Sequence, residues 1–112
     1  MKRYGAVIEL HPDKIADYKR LHAAVWPGVL KTITDCNIRN YSIFLRQFPH
    51  GAWVLFSYME YTGDNFEADC ARMAADPLTQ EWWDLCKPCQ IPLANRAEGE
   101  WWADMEEVFH CD

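Results

Sequence analysis

The first part of the chain carries three blocks of apolar positions, each with the spacing of a different element. Residues 4–10 (YGAVIEL) are rich in small, β-branched and aromatic types, and this short block predicts a β-strand. Over residues 12–25 the apolar and aromatic positions recur at intervals of three and four, as in an amphipathic helix. The helix should end at Trp26, because the residue before a proline is disfavoured in the α region, and Pro27 should begin a second helix over residues 27–35.

Two longer apolar blocks follow and give the clearest strand signals in the sequence. Residues 38–46 (IRNYSIFLR) and 52–61 (AWVLFSYMEY) are rich in β-branched and aromatic types. Pro49 and Gly51 lie in the short segment between them and suit a hairpin loop. The two strands should therefore pair in antiparallel fashion.

The second half of the chain shows two helical segments separated by a breaker. The tripeptide GDN at residues 63–65 offers an N-cap for a helix that runs through Ala75. Asp76 and Pro77 break that helix, and a further helix is predicted over residues 78–86.

The tail decides the fold class. Residues 90–99 have the composition of a loop. Residues 100–110 (EWWADMEEVFH) fit either a helix or a strand, but an edge or exchanged strand over residues 104–110 would complete the order strand, helix, strand, strand, helix, strand. That order predicts a single α+β domain spanning residues 1–112, with helices on one face of an antiparallel sheet. It is the order of the ferredoxin-like βαββαβ sandwich.

Size and charge narrow the classes of partner. The 112 residues carry a formal net charge of −6, which argues against a grip on phosphate backbones or anionic membranes, so we expect neither nucleic acid nor membrane as a partner. The N-terminal segment is too short and polar for a secretion signal, which leads us to expect a cytoplasmic protein. A lone domain of this length buries only about two-thirds of its unfolded surface, and a homodimer is a natural way to bury more.

The cysteines favour neither disulfides nor a metal. There are five, at irregular spacing, which suits reduced thiols. Cys86 and Cys89 form a CxxC pair, but the pair follows a predicted helix and so lacks the helix N-terminus that stabilises a redox thiolate. A zinc site would need a second pair of ligands, and the only candidates are His110 and Cys111 at the end of the sequence. We therefore expect no metal.

Aromatic residues make up 14% of the chain, with six tryptophans. A small core cannot absorb them all, and surplus indoles line interfaces or the flat apolar faces of ligands, including sugar rings. Trp82 and Trp83 occupy adjacent helical positions about 100° apart, so that one can pack inward while the other faces a cleft. Packing of both in the core is the alternative.

Tyr18 and His22 are candidates for proton transfer. They lie four residues apart on one predicted helix, so their side chains can address one site. Histidine titrates near neutrality, and a tyrosine hydroxyl can hold or relay a proton. The alternative is a histidine at the helix–sheet boundary that a backbone carbonyl satisfies. Tyr41 is the remaining candidate, but its strand leaves open whether it faces the helices or the other side.

These five residues, in their local sequences, resemble the L-rhamnose mutarotase family. The resemblance rests on YKRLHAAVWPGV, NYSIFL and QEWW, and it extends from the first strand to the closing EEVFH. It implies a cofactor-free, dimeric α+β barrel of the ferredoxin-like type that interconverts the α and β anomers of L-rhamnose. It also implies the site residues: His22 as proton donor, and Tyr18, Tyr41, Trp82 and Trp83 as sugar-binding residues.

The substrate and two other classes of function stay open. Relatives of this fold act on other 6-deoxy sugars, so L-fucose competes with L-rhamnose as the substrate. A cofactor-independent monooxygenase acting on an aromatic substrate is a second reading of the same fold. A non-catalytic sugar-binding module is a third.

Overall fold

Five strands and four helices make up the protein, and the computed structural model describes all residues from Met1 to Asp112. In chain order the elements are β1 (Lys2–Leu10), α1 (Ile15–Ala23), α2 (Pro27–Asp35), β2 (Ile38–Gln47), β3 (Trp53–Tyr61), α3 (Phe66–Ala74), α4 (Pro77–Cys86), β4 (Gln90–Ile91) and β5 (Ala103–Met105). Two 3₁₀ turns, Pro12–Lys14 and Lys87–Cys89, precede α1 and follow α4.

The sheet is antiparallel, and β1 lies at its centre. The strand order is β2-β3-β1-β4, and β5 pairs with β1 on the same edge as β4. β1 and β3 pair along their whole length, from Lys2 opposite Tyr61 to Leu10 opposite Trp53. This is the predicted ferredoxin-like arrangement, and the predicted antiparallel pairing of the two long central strands of the sequence is confirmed by the register between β2 and β3.

The core lies between the sheet and the helices α1, α2 and α4. Ile8 of β1 has no accessible surface and Leu55 of β3 only 2%. They pack in one cluster with Tyr18 of α1, Val29 of α2 and Trp82 of α4. The residues that fix the core therefore come from the elements that also carry the candidate site residues.

The helices begin and end where the sequence supplies caps and prolines. Asn65 caps α3 by accepting a hydrogen bond from the Ala68 N–H, and Asp76 caps α4 by accepting from the Thr79 N–H. Pro27 and Pro77 occupy the first turns of α2 and α4, where the missing N–H costs nothing. The helices have nine or ten residues each, and none is long and apolar enough to cross a membrane.

A β-bulge in β2 determines where Tyr41 points. Arg39 pairs with Glu60 and Ser42 with Tyr58, so two residues of β2 lie opposite one residue of β3. The extra residue shifts the alternation of the strand. Ile38 is buried, and Ile43 also packs against the core. In a regular strand two residues five positions apart would lie on opposite faces, but the extra residue of the bulge puts both on the same face. Tyr41 consequently lies on the side of the sheet that meets the helices.

Two expectations for the tail need correction. The strand predicted over residues 104–110 is wrong in extent, since β5 covers only Ala103–Met105. Beyond Met105 the chain makes no ladder with β1, and Glu107 instead holds the Arg3 guanidinium with two hydrogen bonds of 2.8 and 3.0 Å. The predicted loop over residues 90–99 begins with the short strand β4, which pairs with the end of β1.

The bulge gives a test of the backbone at Asn40, whose φ is 50°. Asn40→Ala and Asn40→Gly both remove the 2.7 Å bond from the side-chain amide to Glu60, but only alanine brings a Cβ into the left-handed region. That conformation costs about 1–2 kcal/mol, of which the greater unfolded-state entropy of glycine offsets part. We expect urea unfolding to show the alanine variant less stable than the glycine variant by about 0.5–1 kcal/mol. Equal stabilities would contradict the strained backbone.

Candidate active site

A cavity of about 250 Å³ opens beside α1, α4 and β2 and is bordered by the loop that leads into β5. It is slightly smaller than the roughly 300–1,000 Å³ typical of small-molecule sites, and so suits a ligand of monosaccharide size. All five residues predicted as site residues contribute to its wall: Tyr18, His22, Tyr41, Trp82 and Trp83. The structure thus brings together side chains from three elements that are distant in the sequence.

Tyr18 and His22 lie one turn apart on α1 with their rings stacked. The ring centroids are 4.1 Å apart and the planes differ by 24°. The ring centroid of Trp82 lies 5.4 Å from that of the imidazole, with the two planes 65° apart, so the imidazole has two aromatic neighbours. His22 is half-buried. The alternative, a histidine that a backbone carbonyl satisfies, holds for Nδ1, which bonds to the Tyr18 carbonyl. The ring nevertheless also borders the cavity.

The hydrogen bond made by His22 defines its tautomer. Nδ1 lies 2.9 Å from the carbonyl oxygen of Tyr18. A carbonyl oxygen can only accept, so Nδ1 carries the proton, and in the neutral ring Nε2 is left as an acceptor. Burial lowers the pKa of His22, and the bond to the carbonyl offsets this only in part. At neutral pH the site therefore holds an uncharged imidazole with a basic nitrogen.

The two phenols of the cavity remain protonated at neutral pH. Desolvation raises the pKa of Tyr18 well above its ordinary value, in keeping with a side chain that is only 5% exposed. Desolvation likewise raises the pKa of Tyr41 to about 12, although 43% of that residue is accessible. Tyr41 borders the same cavity as Tyr18, which accounts for the desolvation of its hydroxyl group. Both phenols can donate a hydrogen bond to a ligand.

Indoles form most of the apolar wall. Trp82 is buried and Trp83 half-buried, as their positions 100° apart on a helix predicted. Trp101 and Trp102 complete the wall from the segment before β5. The ammonium group of Lys87 lies 5.6 Å from the ring centre of Trp83 and 5.4 Å from that of Trp101, within the range of cation–π attraction.

Six residues of the wall were not predicted as site residues: Ile43, Cys86, Lys87, Gln90, Trp101 and Trp102. The tandem tryptophan before β5 was a signal for an additional aromatic wall, because a small core had no need of it. Gln90 gave no signal, since it lies in a segment whose composition predicts only a loop. Its place in the site depends on the pairing of β4 with β1, which brings it opposite Leu10.

The thiols near the cavity are poor nucleophiles. Cys86 and Cys89 are buried and not joined to each other. Burial raises the pKa of Cys86 to about 12 and also raises that of Cys89, so both are protonated at neutral pH. No group of three or more His, Cys, Asp or Glu residues is arranged to hold a metal ion.

The composition of the wall indicates the kind of ligand. It contains no aspartate or glutamate, and its polar groups are an imidazole, two phenols, an amide and one ammonium. A second hollow of about 660 Å³ adjoins the cavity and shares His22, Tyr41 and both α4 indoles, but its remaining wall is mostly aliphatic. The phenol of Tyr18, the ammonium group of Lys87 and the amide of Gln90 border only the smaller cavity, which suits a molecule with hydroxyl groups on its edge and apolar faces.

Fold and site together define a ferredoxin-like α+β protein with an aromatic-walled cavity of monosaccharide size, whose wall carries groups that can exchange protons. The family model for L-rhamnose mutarotase matches residues 3–111. The protein named L-rhamnose mutarotase from Oceanobacillus iheyensis is 32% identical over 112 residues, which cover all of both chains. The chain belongs to the L-rhamnose mutarotase family. The predicted family, a family of sugar isomerases, is thereby confirmed.

Solved structures agree on the fold. The L-rhamnose mutarotase of Formosa agariphila matches with a TM-score of 0.74 at 21% identity, over 100% of both chains. Tetracenomycin F2 cyclase from Streptomyces glaucescens, a type II polyketide cyclase, matches with a TM-score of 0.66 at 16% identity, over 100% of this chain and 98% of the cyclase. One architecture thus supports two chemistries, and the activity has to be argued from the site.

The burial of the thiols can be tested by chemical labelling. In the native protein at pH 8 we expect Cys111, which is exposed, to react with a thiol reagent within minutes. Cys86 and Cys89 should react only after unfolding, because their pKa values are raised and their sulfur atoms are buried. Mass spectrometry of labelled peptides locates each site, and Cys111→Ser serves as the control. Rapid labelling of Cys86 would contradict the buried, protonated thiol.

Proposed function

We propose that the protein interconverts the α and β anomers of L-rhamnose by general acid–base ring opening in this cavity. The observation that carries the proposal is the position of His22: its Nδ1 is held by a backbone carbonyl, and its ring borders a cavity of monosaccharide size between two phenols and four indoles. Relatives named L-rhamnose mutarotase that align over the full length of the chain support the choice of sugar. L-Fucose is the comparison substrate.

Anomer exchange requires two coordinated proton transfers. A base removes the proton of the anomeric hydroxyl, the bond between C1 and the ring oxygen breaks, and the ring oxygen takes up a proton to give the open-chain aldehyde. Rotation of the carbonyl followed by ring closure gives the other anomer. Such acid–base assistance contributes roughly 10²- to 10⁴-fold to a rate.

His22, the proton donor that the family resemblance implies, has that role when the sugar ring closes and acts as the base when the ring opens. Its neutral ring accepts the anomeric proton at Nε2, and the imidazolium so formed is the proton donor when the ring closes again. Its lowered pKa favours release of that proton. Tyr18 and Tyr41, both protonated, are the donors available to the ring oxygen.

The indole wall orients the sugar. Trp82 and Trp83 offer flat apolar surfaces on which the C–H faces of a pyranose can stack, while the phenols bond to its hydroxyl groups. A 6-deoxy sugar has a methyl group in place of the hydroxymethyl group on C5, and an aromatic wall accommodates it without an unsatisfied polar group.

The proposed assembly is a homodimer, as the resemblance to the family implies. Large apolar side chains that the monomer leaves uncovered support it: Phe44 is 64% exposed, Val108 86% and Phe109 81%. Sedimentation equilibrium tests this state.

Removal of the imidazole tests the proposed activity. We expect His22→Gln to lose at least about 100-fold of the acceleration of anomer exchange, and Tyr18→Phe to lose about tenfold. Saturation-transfer NMR on L-rhamnose and L-fucose measures the exchange rate, and the melting temperature checks the fold. His50→Gln, in the exposed hairpin loop, is the matched control and should keep the full rate. If wild-type protein leaves both sugars at their rates in buffer alone, the proposed function is wrong.

The pH profile tests the state in which His22 acts. Because the neutral ring is the base and its pKa is lowered, the enzymatic rate should be constant from about pH 7 to 9 and fall as the pH drops below the ordinary histidine value of about 6.5. No alkaline loss is expected in this range, since both phenols stay protonated. The profile is measured after subtraction of the exchange in buffer alone. A rate that increases below pH 6.5 would mean that His22 acts from its cationic form.

A further inference from the structure

Two hydrogen bonds connect the segment before β5 to the tyrosine of α1. The indole N–H of Trp101 donates to Oε1 of Gln90 over 2.8 Å. Nε2 of Gln90 donates to the hydroxyl oxygen of Tyr18 over 3.1 Å. We refer to these two bonds, from Trp101 through Gln90 to Tyr18, as the relay. Gln90 is 7% exposed and Tyr18 5%, so the relay is shielded from water at its centre.

The direction of this relay follows from the chemistry of its first member. An indole nitrogen can only donate, so the Gln90 atom that faces Trp101 must be the amide oxygen. The amide nitrogen is then turned toward Tyr18, whose oxygen must accept. The Tyr18 proton is consequently excluded from this bond. No hydrogen bond within the chain has the Tyr18 hydroxyl as its donor, and that side chain borders the cavity.

The backbone on either side holds the relay in place. Gln90 lies in β4, and its pairing with Leu10 of β1 anchors it to the centre of the sheet. Trp101 has the Lys87 ammonium group 5.4 Å from its ring centre. With both neighbours in place, the two hydrogen bonds of the Gln90 side chain set which end of the amide faces Trp101 and which faces Tyr18.

We propose that Gln90, oriented by Trp101, is a positioning residue that aims the Tyr18 O–H into the cavity and so makes Tyr18 the proton donor to the ring oxygen of the sugar. The inference rests on the proposed function and names the second proton carrier of that reaction. In ring opening, the anomeric proton goes to His22, the electron pair of the bond between C1 and the ring oxygen goes to that oxygen, and the oxygen takes the Tyr18 proton. Ring closure returns one proton from the imidazolium to the carbonyl oxygen and the other to the Tyr18 oxygen, so that nothing is consumed.

Gln90→Glu tests the direction of the relay with almost no change of shape. At pH 8 the carboxylate accepts from both Trp101 and Tyr18, which turns the Tyr18 proton away from the cavity. We expect kcat for L-rhamnose to fall about tenfold with little change in KM, as for Tyr18→Phe. The double variant that combines Gln90→Glu with Tyr18→Phe should also lose only about tenfold, because either change alone removes the same donated proton. Gln47→Glu, at the exposed end of β2, makes the same change of charge and should keep the wild-type rate.

A neutral variant covers the case in which a buried carboxylate impairs folding. Gln90→Met removes both hydrogen bonds without adding charge, and we expect a loss of about threefold to tenfold that again does not add to that of Tyr18→Phe. Hydrogen exchange of the Trp101 indole, followed by NMR, gives a readout independent of activity: its protection should fall in Gln90→Met and persist in Gln90→Glu.

The outcomes separate the relay from the proposed function. Losses that multiply to about a hundredfold in the double variants of an active enzyme would overturn the relay and leave the mutarotase activity standing. An unprotected Trp101 indole in the wild-type protein would also overturn it. Wild-type protein without any acceleration would overturn the proposed function, and the donor role of Tyr18 with it.

Discussion

The chemistry proposed for this site depends on one hydrogen bond inside a single helical turn, from Nδ1 of His22 to the carbonyl oxygen of Tyr18. It uses an i, i+4 spacing that any helix provides. The single N–H proton of the neutral imidazole is thereby placed on Nδ1, where it is donated to the backbone carbonyl. The other nitrogen remains a base, and burial among aromatic rings keeps the ring neutral. In the proposed reaction His22 takes a proton from the anomeric hydroxyl and Tyr18 gives one to the ring oxygen, and both side chains are restored when the ring closes.

The fold serves this bond by bringing distant segments to it. The central strand β1 joins β3 on one edge and β4 on the other, so that the segment of Gln90 meets the first helix. The bulge at Asn40 turns Tyr41 to the same side of the sheet. The caps and prolines of α4 fix where that helix begins, and this determines which of its indoles is buried and which borders the cavity. Local rules of the sequence thus control the position of each polar group to within one residue of register.

Much of this was accessible from the sequence because it is local. Hydrophobic spacing and prolines located α1, α2 and the hairpin strands, and the four-residue spacing of Tyr18 and His22 placed both on one face. The face of the sheet on which Tyr41 lies was not predictable, because a bulge shifts the alternation of its strand. The bulge is marked by the positive φ of Asn40, which is visible only in the structure. Gln90 was not predicted as a site residue because its position depends on the pairing of β4 with β1, two strands that are distant in the sequence. The tail strand was predicted too long because alternation of residue types does not reveal whether a partner strand is there to pair with.

The most direct test of the account is the tautomer of His22, measured from the ¹⁵N chemical shifts of its two ring nitrogens at pH 8. The account predicts a protonated Nδ1 and an unprotonated Nε2 that shifts when L-rhamnose binds. A ring protonated at Nε2 would contradict it, because the nitrogen available to the sugar would then be a donor and the base of the proposed reaction would be missing.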